Sequence, residues 1–303
     1  MSQVLSLSLS FFLSVLMLLS CTAGCAPQAP EVRTPAETSR TLPAEAEVPN
    51  AETAAQAAED PLPPGAGLPD SEFAGGEAVY REGFPEDTAE PGRLVVIDPG
   101  HQARPNTGTE PLGPGSSEMK MKVSGGTQGA VSGVPEYELD LTVSLLLRDE
   151  LEARGYRVLL TRESSDVDLS NRERAEFANS AGADLFLCIH ADGSEDPAVN
   201  GATTLCPTAA SPYPVAGLYA RCRLLADCVL DELTAAAGAK KLRVWETDTM
   251  SGLNWSQVPV TLVEMGYMTN PDEDAKLNDP AYQALLVQGI ANGVDKYFAQ
   301  ASE

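Results

Sequence analysis

Two histidines and a glutamate end apolar runs of the sequence, and these residue types together can bind a metal ion. His101 ends the run LVVIDPGH, His190 ends DLFLCIH, and Glu264 ends VPVTLVE. His101 and His190 are the only histidines among the 303 residues. Two neutral imidazoles and a carboxylate, with the fourth position open, are a common arrangement for catalytic zinc. A single histidine at a strand end is more often structural, but both histidines in matching positions favour a metal site.

These side chains meet only if the apolar runs are neighbouring strands of one sheet. Runs typical of strands alternate with amphipathic stretches typical of helices along residues 93–299. The alternation predicts an α/β fold, here a single domain with a mixed, largely parallel sheet flanked by helices on both faces. In such folds ligands bind beyond the carboxyl ends of the strands, which is where the histidines and Glu264 fall.

The boundaries of the elements follow from apolar periodicity and capping residues. Ser170 is expected to begin a helix, with Glu173 in the position of a capping box. Gly155 suits the left-handed residue that ends the preceding helix. The predicted strands cover residues 93–98, 156–162, 183–192, 201–208 and 258–266, the predicted helices cover 137–153, 170–180, 213–237 and 280–298, and a long Gly/Ser-rich loop covers 102–135.

The helix that follows this loop offers a further carboxylate ligand, either Glu136 or Glu138. At about 100° per residue, Glu136 projects onto the middle of the apolar stripe of the helix and Glu138 onto the opposite side. A carboxylate on the buried face needs a partner that offsets its desolvation, and a metal ion would be one. The alternative is a glutamate that is favoured at the start of a helix by the helix dipole alone.

Residues 1–90 have the features of an export signal and a linker. An apolar run over residues 4–19 precedes the quartets LLSC and TAGC, which both resemble a lipobox. We therefore predict a lipoprotein-type signal peptide over 1–25, with the lipid on Cys21 or Cys25; the alternative is an ordinary cleaved signal peptide. Residues 26–90 are rich in Ala, Pro and Glu, a composition that predicts a disordered tether. The chain is expected to be exported and held by its lipid at the outer face of the cytoplasmic membrane or in the cell wall.

Charge and motif content exclude several classes of function. The net charge of −24 argues against a nucleic-acid partner, because no basic stripe is present to neutralise phosphates. A serine hydrolase is disfavoured because no G-x-S-x-G motif occurs. Cys188 and His190 lie on one strand and are not poised as a catalytic dyad. The six cysteines are sparse for a disulfide scaffold, so those of the folded region are expected to be buried free thiols.

Four motifs of the folded region resemble the N-acetylmuramoyl-L-alanine amidase family of zinc enzymes. They are VVIDPGH, EYELDL at the start of a helix that ends ARGYRVLLTR, NRERAEFANSAGADLFLCIHAD, and VPVTLVEMGYMTNPDED. The resemblance implies that residues 91–303 form a zinc amidase catalytic domain. It also implies one zinc ion per domain, with His101, Glu136 and His190 as the metal ligands and Glu264 as the catalytic carboxylate.

The resemblance implies hydrolysis of the amide between N-acetylmuramic acid and L-alanine of peptidoglycan, with release of stem peptides. Peptidoglycan would be the substrate, and the membrane would be contacted through the N-terminal lipid. One alternative is a zinc peptidase that cuts bonds within the stem peptide. The other is a non-catalytic wall-binding lipoprotein of the same fold, which would need a broken set of ligands, whereas all four positions are filled.

Several residues near the motifs have open roles. Asp98 either orients a histidine ring or caps the Asp-Pro-Gly turn, and the cap is favoured. Arg174 is expected to be a structural ion pair or a solvated charge rather than a substrate contact. Gln102 stands where the family usually has glycine, and the loop over 102–135 is longer than the common pattern, so it could line or cover the cleft. Residues 244–255, VWETDTMSGLNW, either contact substrate or pack around a turn.

Overall fold

A computed structural model of the protein describes residues 92–301. The predicted signal peptide and tether lie outside the described residues, as do Cys21 and Cys25. Among the helices that are described, none combines the length and the apolar character needed to cross a membrane.

The described chain alternates strands and helices from its first strand onward. In chain order the elements are β1 (Leu94–Pro99), β2 (Asn106–Pro111), β3 (Met119–Val123), α1 (Glu136–Ala153), β4 (Arg157–Leu160), α2 (Asn171–Ser180), β5 (Leu185–Asp192), β6 (Ala202–Cys206), α3 (Tyr219–Ala237), β7 (Lys241–Glu246), α4 (Ser251–Asn254), β8 (Val260–Tyr267), α5 (Pro271–Leu277) and α6 (Pro280–Ala301). A 3-10 turn, Pro214–Leu218, precedes α3.

Six strands form one sheet in the order β4-β1-β5-β8-β6-β7. β4, β1, β5 and β8 are mutually parallel, β6 is antiparallel to β8, and β7 is parallel to β6. Alternate residues of β1 point to opposite faces, so Val95 packs with α1, α3 and α6 while Val96 packs with α2 and α4. The predicted mixed, largely parallel sheet with helices on both faces is confirmed.

Capping residues and apolar periodicity predicted some of the helices and strands correctly and missed others. The capping box of Ser170 and Glu173 is present, and Gly155 has a φ of 90°, as predicted. The predicted loop over 102–135 was wrong in part, because β2 and β3 pair within it as an antiparallel hairpin. The helix predicted from residue 213 begins as the 3-10 turn and becomes α-helical at Tyr219. The edge strand β7 and the short helices α4 and α5 were also not predicted.

The four cysteines of the described region are free and buried, which confirms the expectation of buried thiols. They are Cys188, Cys206, Cys222 and Cys228.

Candidate metal centre

The three predicted ligands converge at the carboxyl ends of β1 and β5. Oε1 of Glu136 lies 3.0 Å from Nε2 of His101 and 3.1 Å from Nδ1 of His190. The two imidazole rings meet edge to face, with their centroids 4.8 Å apart. One nitrogen of each histidine and one oxygen of Glu136 all lie within 4.8 Å of one another. Residues that are far apart in the sequence thus offer three ligand atoms to one point.

A tight turn after β1 aims His101 at this point. His101 has a φ of 55°, a left-handed conformation that is uncommon for any residue other than glycine and is concentrated at functional sites. The preceding Gly100 is packed closely, because a Cβ atom there would overlap the ring of His190 and lie 2.7 Å from Oδ2 of Asp140. The Pro-Gly sequence therefore lets the chain turn tightly past the second histidine.

Hydrogen bonds fix the rings and the carboxylate. Nδ1 of His101 lies 3.0 Å from the carbonyl oxygen of Ser124. Since a carbonyl only accepts, Nδ1 carries a proton, and Nε2 is the nitrogen that faces Glu136 and could bind a metal ion. Oε2 of Glu136 accepts from the backbone N–H of Thr127 at 2.7 Å, and Oε1 from that of Ala191 at 3.4 Å. These contacts orient His101 and Glu136 toward one another.

The charges of the three groups depend on one another. Burial alone would raise the pKa of Glu136, but the hydrogen bonds and charges of both imidazoles outweigh it and hold that pKa well below its usual range. Burial lowers the pKa of His190, which favours its neutral, metal-binding form. Burial opposes protonation of His101 too, yet hydrogen bonding to Glu136 leaves its pKa raised. Glu136 is therefore a carboxylate at neutral pH, as a metal ligand must be.

Helical position separates the two glutamates that the sequence offered. Glu136 is 4% exposed and faces the sheet, whereas Glu138 is exposed on the opposite side of α1. The prediction that Glu136 is the buried one is confirmed.

Glu264 lies beside the centre on the neighbouring strand. In the register of β5 and β8 it is the direct partner of His190. Oε2 of Glu264 is buried and has no hydrogen-bond partner within the described structure. Burial, and after it the charges of Glu136 and Asp192, raise the pKa of Glu264 far above its usual value. Glu264 thus places a titratable carboxyl group next to the three predicted ligands.

Asp140 was not predicted, although it lies on the same helix one turn after Glu136. It is completely buried, neither of its side-chain oxygens has a hydrogen-bond partner among the described residues, and Oδ2 lies 4.0 Å from Nδ1 of His190. Burial, followed by the charges of Glu136 and Glu264, raises its pKa far above the usual value. The helical periodicity that selected Glu136 also places Asp140 on the buried face and could have found it.

Asp98 and Arg174 form a buried ion pair beneath the turn. Oδ1 of Asp98 accepts from Nη1 of Arg174 at 2.8 Å and from the hydroxyl of Thr161. Arg174 is 1% exposed and also donates to the carbonyls of Pro99 and His101, each at 2.8 Å. Of the predicted roles for Arg174, the structural ion pair is correct. Asp98 is paired with Arg174 and Thr161 instead of orienting the ring of His101 or capping the turn.

A cavity of about 660 Å³ opens above His101, His190 and Glu264. Lys120 and Thr127, from the hairpin and the segment that follows it, form one part of its lining. The prediction that the region over 102–135 lines the cleft is therefore confirmed.

Some of residues 244–255 line the cleft, and others pack against the rest of the protein. Met250 to Leu253 line the cavity, whereas Trp255 packs and donates from Nε1 to the carbonyl of Pro111 at 2.9 Å. Trp245 lies on β7 and is 40% exposed.

Comparison with known proteins agrees with this geometry. A family model described as N-acetylmuramoyl-L-alanine amidase matches residues 95–296. The chain is 29% identical over 208 residues to the N-acetylmuramoyl-L-alanine amidase LytC of Bacillus subtilis, a match that covers 68% of this chain and 36% of LytC. The chain therefore spans only about a third of the length of that relative.

Two crystal structures of N-acetylmuramyl-L-alanine amidases named Ami1 share the fold. The enzyme of Mycobacterium abscessus is 29% identical, with a TM-score of 0.62, and the match covers 69% of this chain and 100% of that one. The enzyme of Mycobacterium smegmatis is 27% identical, with a TM-score of 0.62 and coverage of 69% and 98%. The chain accordingly belongs to the N-acetylmuramoyl-L-alanine amidase family of enzymes.

Proposed function

We propose that this protein is a zinc-dependent hydrolase that cleaves the amide between N-acetylmuramic acid and L-alanine of peptidoglycan and releases stem peptides. The observation that carries the proposal is the convergence of His101, Glu136 and His190 on one point beside Glu264. Membership of the amidase family supports the reaction, and the open cavity above these residues supports access of a large substrate.

The residues present fit a zinc ion. Two imidazole nitrogens and one carboxylate oxygen are a donor set that zinc takes in hydrolases. Zinc–ligand distances of about 2.0–2.2 Å in a tetrahedral site separate neighbouring ligand atoms by roughly 3.3 Å. The observed separations of 3.0 Å and 3.1 Å between Glu136 and the two histidines are close to that value.

Zinc, when bound, supplies a Lewis acid that lowers the pKa of a water molecule and polarises the scissile carbonyl. His101, Glu136 and His190 hold the ion, and the Ser124 carbonyl keeps the ring of His101 oriented. Glu264 takes the proton of the attacking water and returns it to the amide nitrogen of L-alanine as that group leaves. Its unpartnered Oε2 is available for this task because no described side chain occupies it.

The test is digestion of purified muropeptides by the purified protein, with and without a chelator, followed by mass spectrometry. Free stem peptides that begin with L-alanine are expected only when zinc is present. Glu264→Gln is expected to lose roughly 10²–10⁴-fold in rate, the size of a general acid–base contribution, while retaining zinc. Glu138→Gln, the exposed neighbour on α1, is the matched control and should keep normal turnover.

Other results would overturn the proposal. Normal turnover by Glu264→Gln would show that Glu264 does not transfer the proton. Fragments cut within the stem peptide would show the zinc peptidase instead, and intact muropeptides would show a non-catalytic wall-binding protein.

We also propose that residues 1–25 are a lipoprotein-type signal and that residues 26–90 are a tether. The lipid would hold the catalytic domain, residues 91–303, at the outer face of the cytoplasmic membrane or in the cell wall. The two lipobox-like quartets and the Ala/Pro/Glu-rich composition support this arrangement. Incorporation of labelled fatty acid into the protein in a bacterial host tests it. Loss of label in Cys21→Ala or Cys25→Ala would identify the lipidated residue, and an unlabelled wild-type protein would show simple secretion.

A further inference from the structure

A second cavity, of about 430 Å³, lies next to the catalytic one. Three residues, Asp192, Met250 and Glu264, line both cavities, so the two form one continuous surface. Its remaining lining includes Arg243 and Trp245 of the edge strand β7. A substrate bound at the metal centre can therefore extend sideways across the sheet toward β7.

The register of the sheet explains this continuity. Glu264 of β8 pairs with His190 of β5 on one side and with Thr203 of β6 on the other. Paired residues on adjacent strands point to the same face of a sheet. β7 pairs with β6 on its other side, with a register irregularity between the Ala202 and Thr204 positions. Arg243 falls in that interval, level with Thr203, and so belongs to the same row.

Arg243 is the single cation among the described residues that line this cavity. It forms no ion pair within the described structure, and its guanidinium carbon lies 5.2 Å from the ring centroid of Trp245. Contact with an aromatic ring limits the orientations of a guanidinium group without using its hydrogen-bond donors. Asp192 and Glu264 also line this cavity, so its positive charge is confined to the end formed by β7, where Arg243 has no ion-pair partner among the described residues and can attract an anion.

We propose that Arg243, supported by Trp245, binds a carboxylate of the stem peptide and so determines which peptidoglycan substrates the enzyme prefers. This inference rests on the proposed amidase function. A planar guanidinium matches a carboxylate with two parallel hydrogen bonds, and no hydrogen bond to another residue in the range 92–301 competes for the donors of Arg243. Trp245, which is 40% exposed, offers its ring to the apolar part of the same residue.

The spacing fits the leaving side of the substrate. Two strand separations, roughly 10 Å in total, lie between the backbones of Glu264 and Arg243. An extended peptide covers that span in about three residues. The carboxylates of the first three residues of the stem peptide are therefore within reach of the guanidinium group, whereas the scissile amide stays at the metal ligands.

Steady-state kinetics on two matched muropeptides test the proposal. Both carry a tripeptide stem, with its carboxylates free in one and converted to primary amides in the other. Arg243→Gln is expected to raise KM for the free-carboxylate substrate roughly fivefold, the effect of losing one partly exposed charge-assisted contact, with kcat changed less than twofold. On the amidated substrate the variant and the wild type should have the same KM. Arg243→Lys should recover part of the lost affinity.

Lys241→Gln is the matched control. Lys241 is an exposed cation of the same strand, but it pairs with Asp231 of α3 and does not line the cavity. This variant changes the net charge by the same amount and should leave both KM values unchanged. The subsite would be overturned if Arg243→Gln raised KM equally for both substrates, or if Lys241→Gln raised KM for the free-carboxylate substrate as much as Arg243→Gln does.

The two proposals fail in different ways. If the wild-type enzyme releases no stem peptide from either substrate, the proposed function is wrong and the subsite falls with it. If the wild type turns over both substrates and Arg243→Gln behaves like wild type on both, only the subsite is wrong. Calorimetric binding of the two intact substrates to Glu264→Gln gives a second readout, in which Arg243→Gln should weaken binding of the free-carboxylate substrate alone.

Discussion

Arg174→Met tests whether the ion pair beneath the turn positions His101. The guanidinium group donates to the carboxylate of Asp98 and to the carbonyls of Pro99 and His101, each at 2.8 Å. A methionine fills similar volume but donates nothing. The substitution would leave the buried carboxylate of Asp98 with only the hydroxyl of Thr161 as a side-chain partner. It would also remove the charged donor to the carbonyl of His101, whereas the carbonyl of Pro99 would keep Arg162 as a donor.

The magnitude follows from the burial of these groups. Removing one partner of a buried pair typically costs about 3–5 kcal/mol, because the other charge remains buried and uncompensated. With Arg174 at 1% and Asp98 at 5% exposure, solvent offers little relief. We expect a loss of about 4 kcal/mol in the free energy of unfolding, a large share of the 5–15 kcal/mol typical of a domain. Because the turn that presents His101 loosens, zinc affinity should fall roughly 10–100-fold.

Urea unfolding followed by circular dichroism, with a chelator present, measures the first quantity, and competition for zinc with a chromogenic chelator measures the second. Arg172→Met is the matched control, because Arg172 lies two residues earlier on α2 and forms a partly exposed pair with Glu176. It should cost less than about 1 kcal/mol. An Arg174→Met protein as stable as Arg172→Met, or one that binds zinc as tightly as the wild type, would refute the positioning role.

Three further substitutions test other supports of the site. Asp274→Asn is expected to cost about 2 kcal/mol, because its carboxylate accepts two backbone N–H groups of the segment before α1 at 2.7 Å each. Burial would raise the folded-state pKa of Asp274, but hydrogen bonding from Ser132 outweighs burial and lowers it. The stabilisation by Asp274 is therefore present above the unfolded-state pKa and is lost as the pH falls through the folded-state pKa. Urea titrations should show a smaller difference in stability between wild type and Asp274→Asn at pH 3 than at pH 7. Gly100→Ala places a methyl group against the ring of His190 and should reduce turnover more than about 100-fold. If this variant bound zinc and turned over substrate like the wild type, the close packing of Gly100 against His190 would not matter for the site. Ser170→Ala removes a helix cap and should lower the free energy of unfolding by about 1 kcal/mol without changing zinc affinity.

The convergence of His101, Glu136 and His190 could be predicted because its signals are local or periodic. Each histidine ends an apolar run, and parallel strands bring such ends to one edge of the sheet. Glu136 was separated from Glu138 by the helical repeat alone, and the structure places them on opposite sides of α1 as expected. These inferences needed only the direction in which consecutive side chains point.

The hairpin and the edge strand could not be predicted in the same way. The sequence of β2, NTGTEP, has no apolar alternation, and in the alternating run MKMKV of β3 the two methionines are exposed rather than buried. They are strands because they pair with each other. Their position over the cleft depends on hydrogen bonds from residues distant in sequence, such as Arg172 of α2 to Glu110 and Trp255, next to α4, to Pro111. β7 likewise alternates exposed and half-buried residues, so that its membership of the sheet follows from pairing with β6.

The pair of Asp98 and Arg174 shows why a role cannot be assigned from one position. The two residues are 76 positions apart, and each has a plausible local explanation, a turn cap for the aspartate and a solvated helix face for the arginine. Only the packing of α2 against the end of β1 brings them together. Once buried, neither group can remain charged at low cost without the other, so the fold selects the ion pair over both local roles.

The same electrostatic reasoning explains why this site favours a cation. Glu136, Asp140 and Glu264 bring three buried carboxyl groups around two imidazoles, and mutual repulsion contributes to the raised pKa of Asp140 and Glu264. The charge of Arg162 lowers the pKa of Asp140, but its guanidinium donates to backbone carbonyls of the turn and of α1 and not to that carboxyl group. Without a further positive charge, burial and this repulsion favour the protonated forms of Asp140 and Glu264. A divalent ion at the ligand atoms would offset the negative charge and allow Glu264 to release its proton at neutral pH, which is the state that the proposed reaction requires.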